Sequence, residues 1–178
     1  ALVVGGSTYT GGISITGAIA PANTNTLSLI TDPTGASGIA QSAAPSPATI
    51  SVLNLNADGP WVSLDHSGNS IINVAGRAQT GAFSVRSSGA MTVSTVDGTA
   101  GISVNSAGQT LTAQAGGVLT LNGNIASPNS AVSLSGTGIT LNSTRSINGS
   151  SVLLNAGGGT MSLGAGSTRD LGTPGGRF

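Results

Sequence analysis

The sequence predicts an all-β chain wound as a parallel β-helix of about 20 residues per coil, and three observations lead there. A triplet of apolar, hydroxyl or amide, and apolar residues recurs as Val62-Ser63-Leu64, Phe83-Ser84-Val85, Ile102-Ser103-Val104, Leu119-Thr120-Leu121, Ile139-Thr140-Leu141 and Met161-Ser162-Leu163. From Leu64 to Leu163 is 99 residues in five steps, a mean period of 19.8. A second series with the same mean period interleaves with it: Leu53-Asn54-Leu55, Ile72-Asn73-Val74, Met91-Thr92-Val93, Leu111-Thr112-Ala113, Val132-Ser133-Leu134 and Val152-Leu153-Leu154. Between triplets lie turn formers such as Ser87-Ser88-Gly89, Val96-Asp97-Gly98 and Gly157-Gly158-Gly159, where Gly and Asn accept the positive φ of a tight corner.

Each triplet is a strand whose outer residues share one face and whose middle residue takes the other. Stacking coil on coil then places Leu64, Val85, Val104, Leu121, Leu141 and Leu163 in one internal ladder, and Ser63, Ser84, Ser103, Thr120, Thr140 and Ser162 in an external hydroxyl file. Asn105, Asn122 and Asn142 follow the inward residues and are expected to stack as an amide ladder, with Asp65 and Arg86 paired at the same position in earlier coils. Ile13-Ser14-Ile15 and Leu27-Ser28-Leu29 read as earlier strands, and residues 32 to 48, with Pro33, Pro45 and Pro47, as a loop protruding from one coil. Residues 1 to 166 form a single solenoid on this reading, and residues 167 to 178 an irregular tail or connecting arm. Nine such coils at strand spacing make a rod roughly 43 Å long. Short strands with regular turns also suit an antiparallel sandwich or barrel; the shared period is what favours the parallel winding. Helix is disfavoured because no i, i+3, i+4 stripe develops and Lys and Glu are absent.

Composition agrees. Of 178 residues, 29 are Gly, 26 Ser, 21 Thr and 13 Asn, so four small or polar types fill half the chain. Disorder goes with low hydrophobicity and high net charge, whereas mean hydropathy here is +0.27 and five Arg balance five Asp. Neutrality removes the basic footprint expected of a partner of nucleic acid or an anionic membrane. The absence of Cys leaves no thiolate chemistry and no disulfide framework. The sequence contains no apolar run of about 18 residues and no signal-peptide start, so a soluble, already processed or excised piece is expected, without membrane insertion.

Gly-Ile-Thr-Leu-Asn at 138 to 142, Gly-Val-Leu-Thr-Leu-Asn-Gly-Asn-Ile at 117 to 125 and Gly-Ala-Met-Thr-Val at 89 to 93 give residues 12 to 166 a repeat style that resembles the shaft of filamentous haemagglutinin-type exoproteins of bacterial two-partner secretion. The resemblance implies a right-handed parallel β-helix, exported through an outer-membrane transporter of a Gram-negative bacterium and displayed at the cell surface as an adhesive or structural fibre. That family's secretion domain carries an Asn-Pro-Asn-Gly-type motif; here Pro128-Asn129 is followed by Ser130, so the chain reads as shaft without its export signal.

Catalytic signatures are sparse. Acid-base hydrolysis needs carboxylates gathered at close range, and the five Asp are scattered. The chemically mixed stretch is Asp58, Trp61, Asp65 and His66, which as a ligand patch offers an aromatic stacking face and polar groups for a sugar or metal; its simpler reading is a turn with an edge-packed Trp and a solvated His. No cofactor and no enzymatic activity are expected. The reading that follows is a structural shaft module of a secreted surface fibre that self-associates end to end into filaments. Its alternatives are a carbohydrate-binding or carbohydrate-cleaving β-helix that engages surface glycans, and an autotransporter passenger or phage fibre segment.

Overall fold

The computed structural model describes residues 1–42 and 48–170, with the side chains of 168–170 left aside. Parallel strands stack as a β-solenoid of about seven turns, roughly 22 residues per turn, and no helix is present among the described residues. Seven turns at strand spacing make a rod of roughly 34 Å, shorter than the expected nine coils. The difference arises because coils vary: Leu55 stacks under Val74 after 19 residues, Leu121 under Leu141 after 20, but Phe83 under Leu111 after 28.

Above residue 91 each coil has three sides rather than the two that the interleaved series suggested. Side A comprises Ile13–Ile15, Ile39–Gln41, Val62–Leu64, Phe83–Ser87, Thr110–Ala115 and the later halves of Ile125–Ser135 and Ser146–Asn155. Side B holds Met91–Val93, Val118–Leu121, Gly138–Leu141 and Met161–Leu163. Side C holds Ile102–Val104 and the strands starting at Ile125, Ser146 and Thr168. In the lower coils, Thr26–Ile30 and the paired stretches of Ser51–Gly59 and Ser70–Ala78 serve sides B and C as one continuous strand. Ser70–Ala78 is the fork: its Asn73 and Val74 pair with Thr92 and Val93, while Gly76, Arg77 and Ala78 pair with Ile102, Ser103 and Val104.

Between the two branches, residues 94–101 leave the wall as a β-hairpin. Thr95–Val96 pairs antiparallel with Thr99–Ala100 across Asp97 at φ 49° and Gly98 at φ 81°. Positive φ at both central positions defines the turn whose twist matches a two-residue hairpin, and Asp-Gly is a favoured sequence for it. The hairpin lies back on the outside of the lower coils. Ser28, Asn56 and Ala75, outward-facing register partners in three successive coils, are buried beneath it together with Val96. Ser28 Oγ donates to Asp97 Oδ2 at 2.5 Å, tying the tip to a coil 69 residues earlier in sequence. Asp97→Ala removes this bond and places a Cβ-bearing residue without a compensating polar group at positive φ. Chemical denaturation is expected to show a loss of about 1–2 kcal/mol, with Asp97→Asn retaining at least half of that stability.

The hairpin corrects the expected ladder. Leu64 and Val85 stack with Ala113, Leu134 and Leu154 on side A. Leu121, Leu141 and Leu163 continue the side-B file of Leu55, Val74 and Val93, and Val104 stacks on Ala78 of side C. The eight extra residues and the separate side-C strand shift which triplet of each pair lies on which side, so the two columns exchange at 94–110. Apolar-in, polar-out alternation survives the exchange: Leu64, Val85, Val104, Leu121 and Leu141 are all buried, while Leu163, on the last side-B strand, is exposed. The hydroxyl file divides likewise, with Ser63 and Ser84 on side A, Ser103 on C, and Thr120, Thr140 and Ser162 on B.

Two segments expected to be irregular contain strands. Ile39–Gln41 lies within the supposed loop at 32–48, pairing with Ile13–Ile15 below and Val62–Leu64 above and burying Ile39 completely. Pro45 and Pro47 lie outside the described residues. Pro33 sits in a turn that the Asp32 carboxylate organises by accepting from the Thr34 N–H and hydroxyl, which hold that carboxyl below its usual range. At the other end Thr168–Asp170 pairs with Ser146–Asn155, so the solenoid runs into the supposed tail; residues 171–178 lie outside the described residues.

Candidate functional site

Asp58, Trp61, Asp65 and His66 do not converge on one site. Asp58 lies next to the end of a side-B/C strand with its side chain outward, directly below Arg77 in register. Arg77 Nη2 donates to Asp58 Oδ2 at 2.6 Å and its Nε to Oδ1 at 3.2 Å, a forked pair that raises the guanidinium pKa above its ordinary value. The Arg77 side chain is 47% exposed, so water screens the pair and it contributes at most about 1 kcal/mol.

Trp61 occupies the turn entering side A, packed into room that glycines leave. A Cβ at Gly38 would meet Trp61 Cδ2 at 2.5 Å and one at Gly81 would meet Trp61 Cβ at 2.8 Å. Its indole N–H points to the Ala36 carbonyl at 3.3 Å. With one face against Gly38 and its donor engaged, the ring closes a corner of the rod.

Asp65 and His66 follow the last residue of Val62–Leu64 and lie in a turn. Asp65 is exposed and makes no ion pair with Arg86, whose register neighbour in the next coil is Gln114. His66 Nδ1 accepts from the Gly68 N–H at 3.0 Å, an internal turn bond that leaves Nε2 as its other polar atom. Among the described residues no three His, Cys, Asp or Glu side chains gather as metal ligands would.

What lies beneath this turn is a buried polar clamp that sequence reasoning missed. Asn69 is fully buried. Its Oδ1 accepts from the Ile50 N–H at 2.9 Å and from Gln41 Nε2 at 2.6 Å; its Nδ2 donates to the Leu64 carbonyl at 3.1 Å and to Gln41 Oε1 at 3.0 Å. Gln41 stands in the inward file between Ile15 and Leu64, an apolar position by pattern, and also donates to the Ala48 carbonyl while accepting from the His66 N–H at 3.3 Å. The clamp therefore joins two amide side chains from neighbouring coils to four backbone groups. Nothing in the spacing marks Asn69, because its neighbours Gly68 and Ser70 read as an ordinary turn.

The amide ladder forms in part. Asn142 donates to Asn122, but Asn105 donates to Gln79 Oε1 at 2.5 Å at a different corner. A second ladder runs along side B, from Asn73 Nδ2 to Asn54 Oδ1 at 2.9 Å and from Asn54 Nδ2 to Thr26 Oγ1 at 3.2 Å. Beside the Asn122–Asn142 step, between sides B and C, is an open groove of about 390 Å³ lined by Asn122, Thr140, Asn142, Ser143, Arg145 and Ser162. Comparison with family models, with curated proteins and with solved structures finds no match to this chain.

Proposed function

We propose that this chain is a shaft module of a secreted, surface-displayed bacterial fibre and that it associates end to end. The observation that carries the reading is the continuity of the wall. Inward files run from the first described strand to the last, and each coil covers the apolar edge of the one below. At one extreme Leu2–Gly5 presents a strand edge with Leu2, Val3 and Val4 exposed; at the other Met161 and Leu163 are exposed in the same side-B file. A further coil, whether of the same polypeptide or of a second copy, satisfies the free backbone groups and covers these side chains in the same way. Head-to-tail contact between unlike ends does not close on itself, so it yields filaments. The scarcity of charge also suits a neutral rod, and the repeat style resembling haemagglutinin-type shafts supports export and display.

Electron microscopy and sedimentation of the purified chain at rising concentration are expected to show filaments that lengthen, and Leu163→Arg to hold them at single particles. A wild-type chain that stays monomeric throughout overturns end-to-end association. Immunogold labelling of intact cells of the source bacterium is expected to decorate the surface; label confined to the cell interior overturns display.

A further inference from the structure

The hairpin at 94–101 erupts where side B meets side C, and the base of that hairpin packs against Gly123 in the next coil, where a Cβ would meet Gly101 Cα at 2.8 Å. Directly above, at the same corner, lies the groove of about 390 Å³. In solenoids, the face that carries inserted loops is often the binding face.

The groove has a definite chemistry. Thr140 and Ser162 stand in adjacent coils of side B as register partners, each presenting a hydroxyl. Asn142 Nδ2 donates one hydrogen bond to Asn122 Oδ1, which fixes their orientation and leaves the remaining amide donor and acceptor capacity free. Arg145 lines the groove and has no acidic partner among the described side chains, in contrast to Arg77 on the lower coils. The chain accepts strain to present it. Thr144 has φ 63°, a left-handed conformation that a β-branched residue rarely adopts, whereas the equivalent turn of the next coil uses Gly166 at φ 70°. Gly164 lets that next turn approach Ser143, so the wall closes tightly behind the groove.

We propose that this groove binds an acidic sugar, with the carboxylate on the Arg145 guanidinium and the ring hydroxyls on Thr140, Ser162 and the Asn122–Asn142 amides. A planar carboxylate matches the guanidinium fork. A lining of hydroxyls and amides with no aromatic ring and one cation suits a polyhydroxylated ligand of single charge at each residue. The site is distinct from the Trp61 region and does not depend on whether the rod assembles into filaments.

Calorimetric titration with trigalacturonic acid at low salt tests it. The unaltered chain is expected to bind saturably, to lose at least tenfold in affinity as Arg145→Gln, and to be unaffected by Arg86→Gln, which removes an equal charge from side A. On the unaltered chain, the fully methyl-esterified trisaccharide is expected to bind at least tenfold more weakly, an arm that needs no variant and so does not depend on any variant folding. Absence of saturable binding up to about 10 mM overturns the proposal. Equal affinity for the acid and its ester, or equal loss in both arginine variants, also overturns it.

Discussion

Asn69→Leu is expected to lower the free energy of unfolding by about 4 kcal/mol, measured by chemical denaturation. Leucine is similar in size, so the effect does not come from a cavity. It comes from groups left behind: the buried Ile50 N–H and Leu64 carbonyl each lose their side-chain partner, while Gln41 keeps its bonds to the Ala48 carbonyl and the His66 N–H. Each orphaned buried group costs about 1–3 kcal/mol, and two of them decide the sign despite the gain in apolar burial. Because coils contact only their neighbours, hydrogen exchange is expected to rise first at residues 39–41, 48–52 and 64–71 while the upper coils stay protected. The double replacement Gln41→Leu with Asn69→Leu is not expected to recover the loss, since it leaves the Ala48 carbonyl and the His66 N–H, as well as the Ile50 and Leu64 backbone groups, without their side-chain partner. A single replacement costing under about 1 kcal/mol would show that the clamp is not closed in solution.

Gly76→Ala is expected to cost about 3 kcal/mol, although alanine is the better strand residue. Gly76 occupies the side-C inward file between Ala57 and Ile102. An added Cβ would run into the Ala57 carbonyl oxygen and lie 2.6 Å from Phe83 Cε2 and 2.9 Å from Phe83 Cζ. Phe83, fully buried, is the largest side chain of the core, and it fits because the facing side offers glycine and alanine. Phe83→Leu in the Gly76→Ala background relieves the ring contact but not the backbone one, so a double-mutant cycle is expected to show favourable coupling of about 1 kcal/mol or more. Strict additivity would mean that the ring and the glycine do not share the space.

Most of the winding was legible from alternation. Val62-Ser63-Leu64 and Ile139-Thr140-Leu141 fall in strands with the apolar residues buried and the hydroxyl outward, because a strand's period of two leaves little choice once one face must leave water. The hairpin was less legible. Val96-Asp97-Gly98 reads as one more corner, and only contact with Ser28, Asn56 and Ala75 in the three coils below reveals that the segment folds outward. Ile39–Gln41 was obscured by the prolines and glycines around it, although its burial depends on strands above and below rather than on its own composition. The supposed site from Asp58 to His66 was assembled from residues close in sequence. A solenoid separates such residues along its sides and corners, and it brings together residues about one coil apart, as with Asp58 and Arg77 or Asn122 and Asn142.

The sequence by itself determined the fold class, the inward and outward faces of each strand and the near absence of charge. These follow from local alternation, turn chemistry and composition, each of which acts within a few residues. Tertiary structure alone decided which triplets stack, where the third side begins, how Asn69 is satisfied and why Gly76 must be glycine. Those outcomes depend on contacts between coils 19 to 28 residues apart, and one insertion of eight residues is enough to exchange two columns of identical pattern without altering the pattern itself.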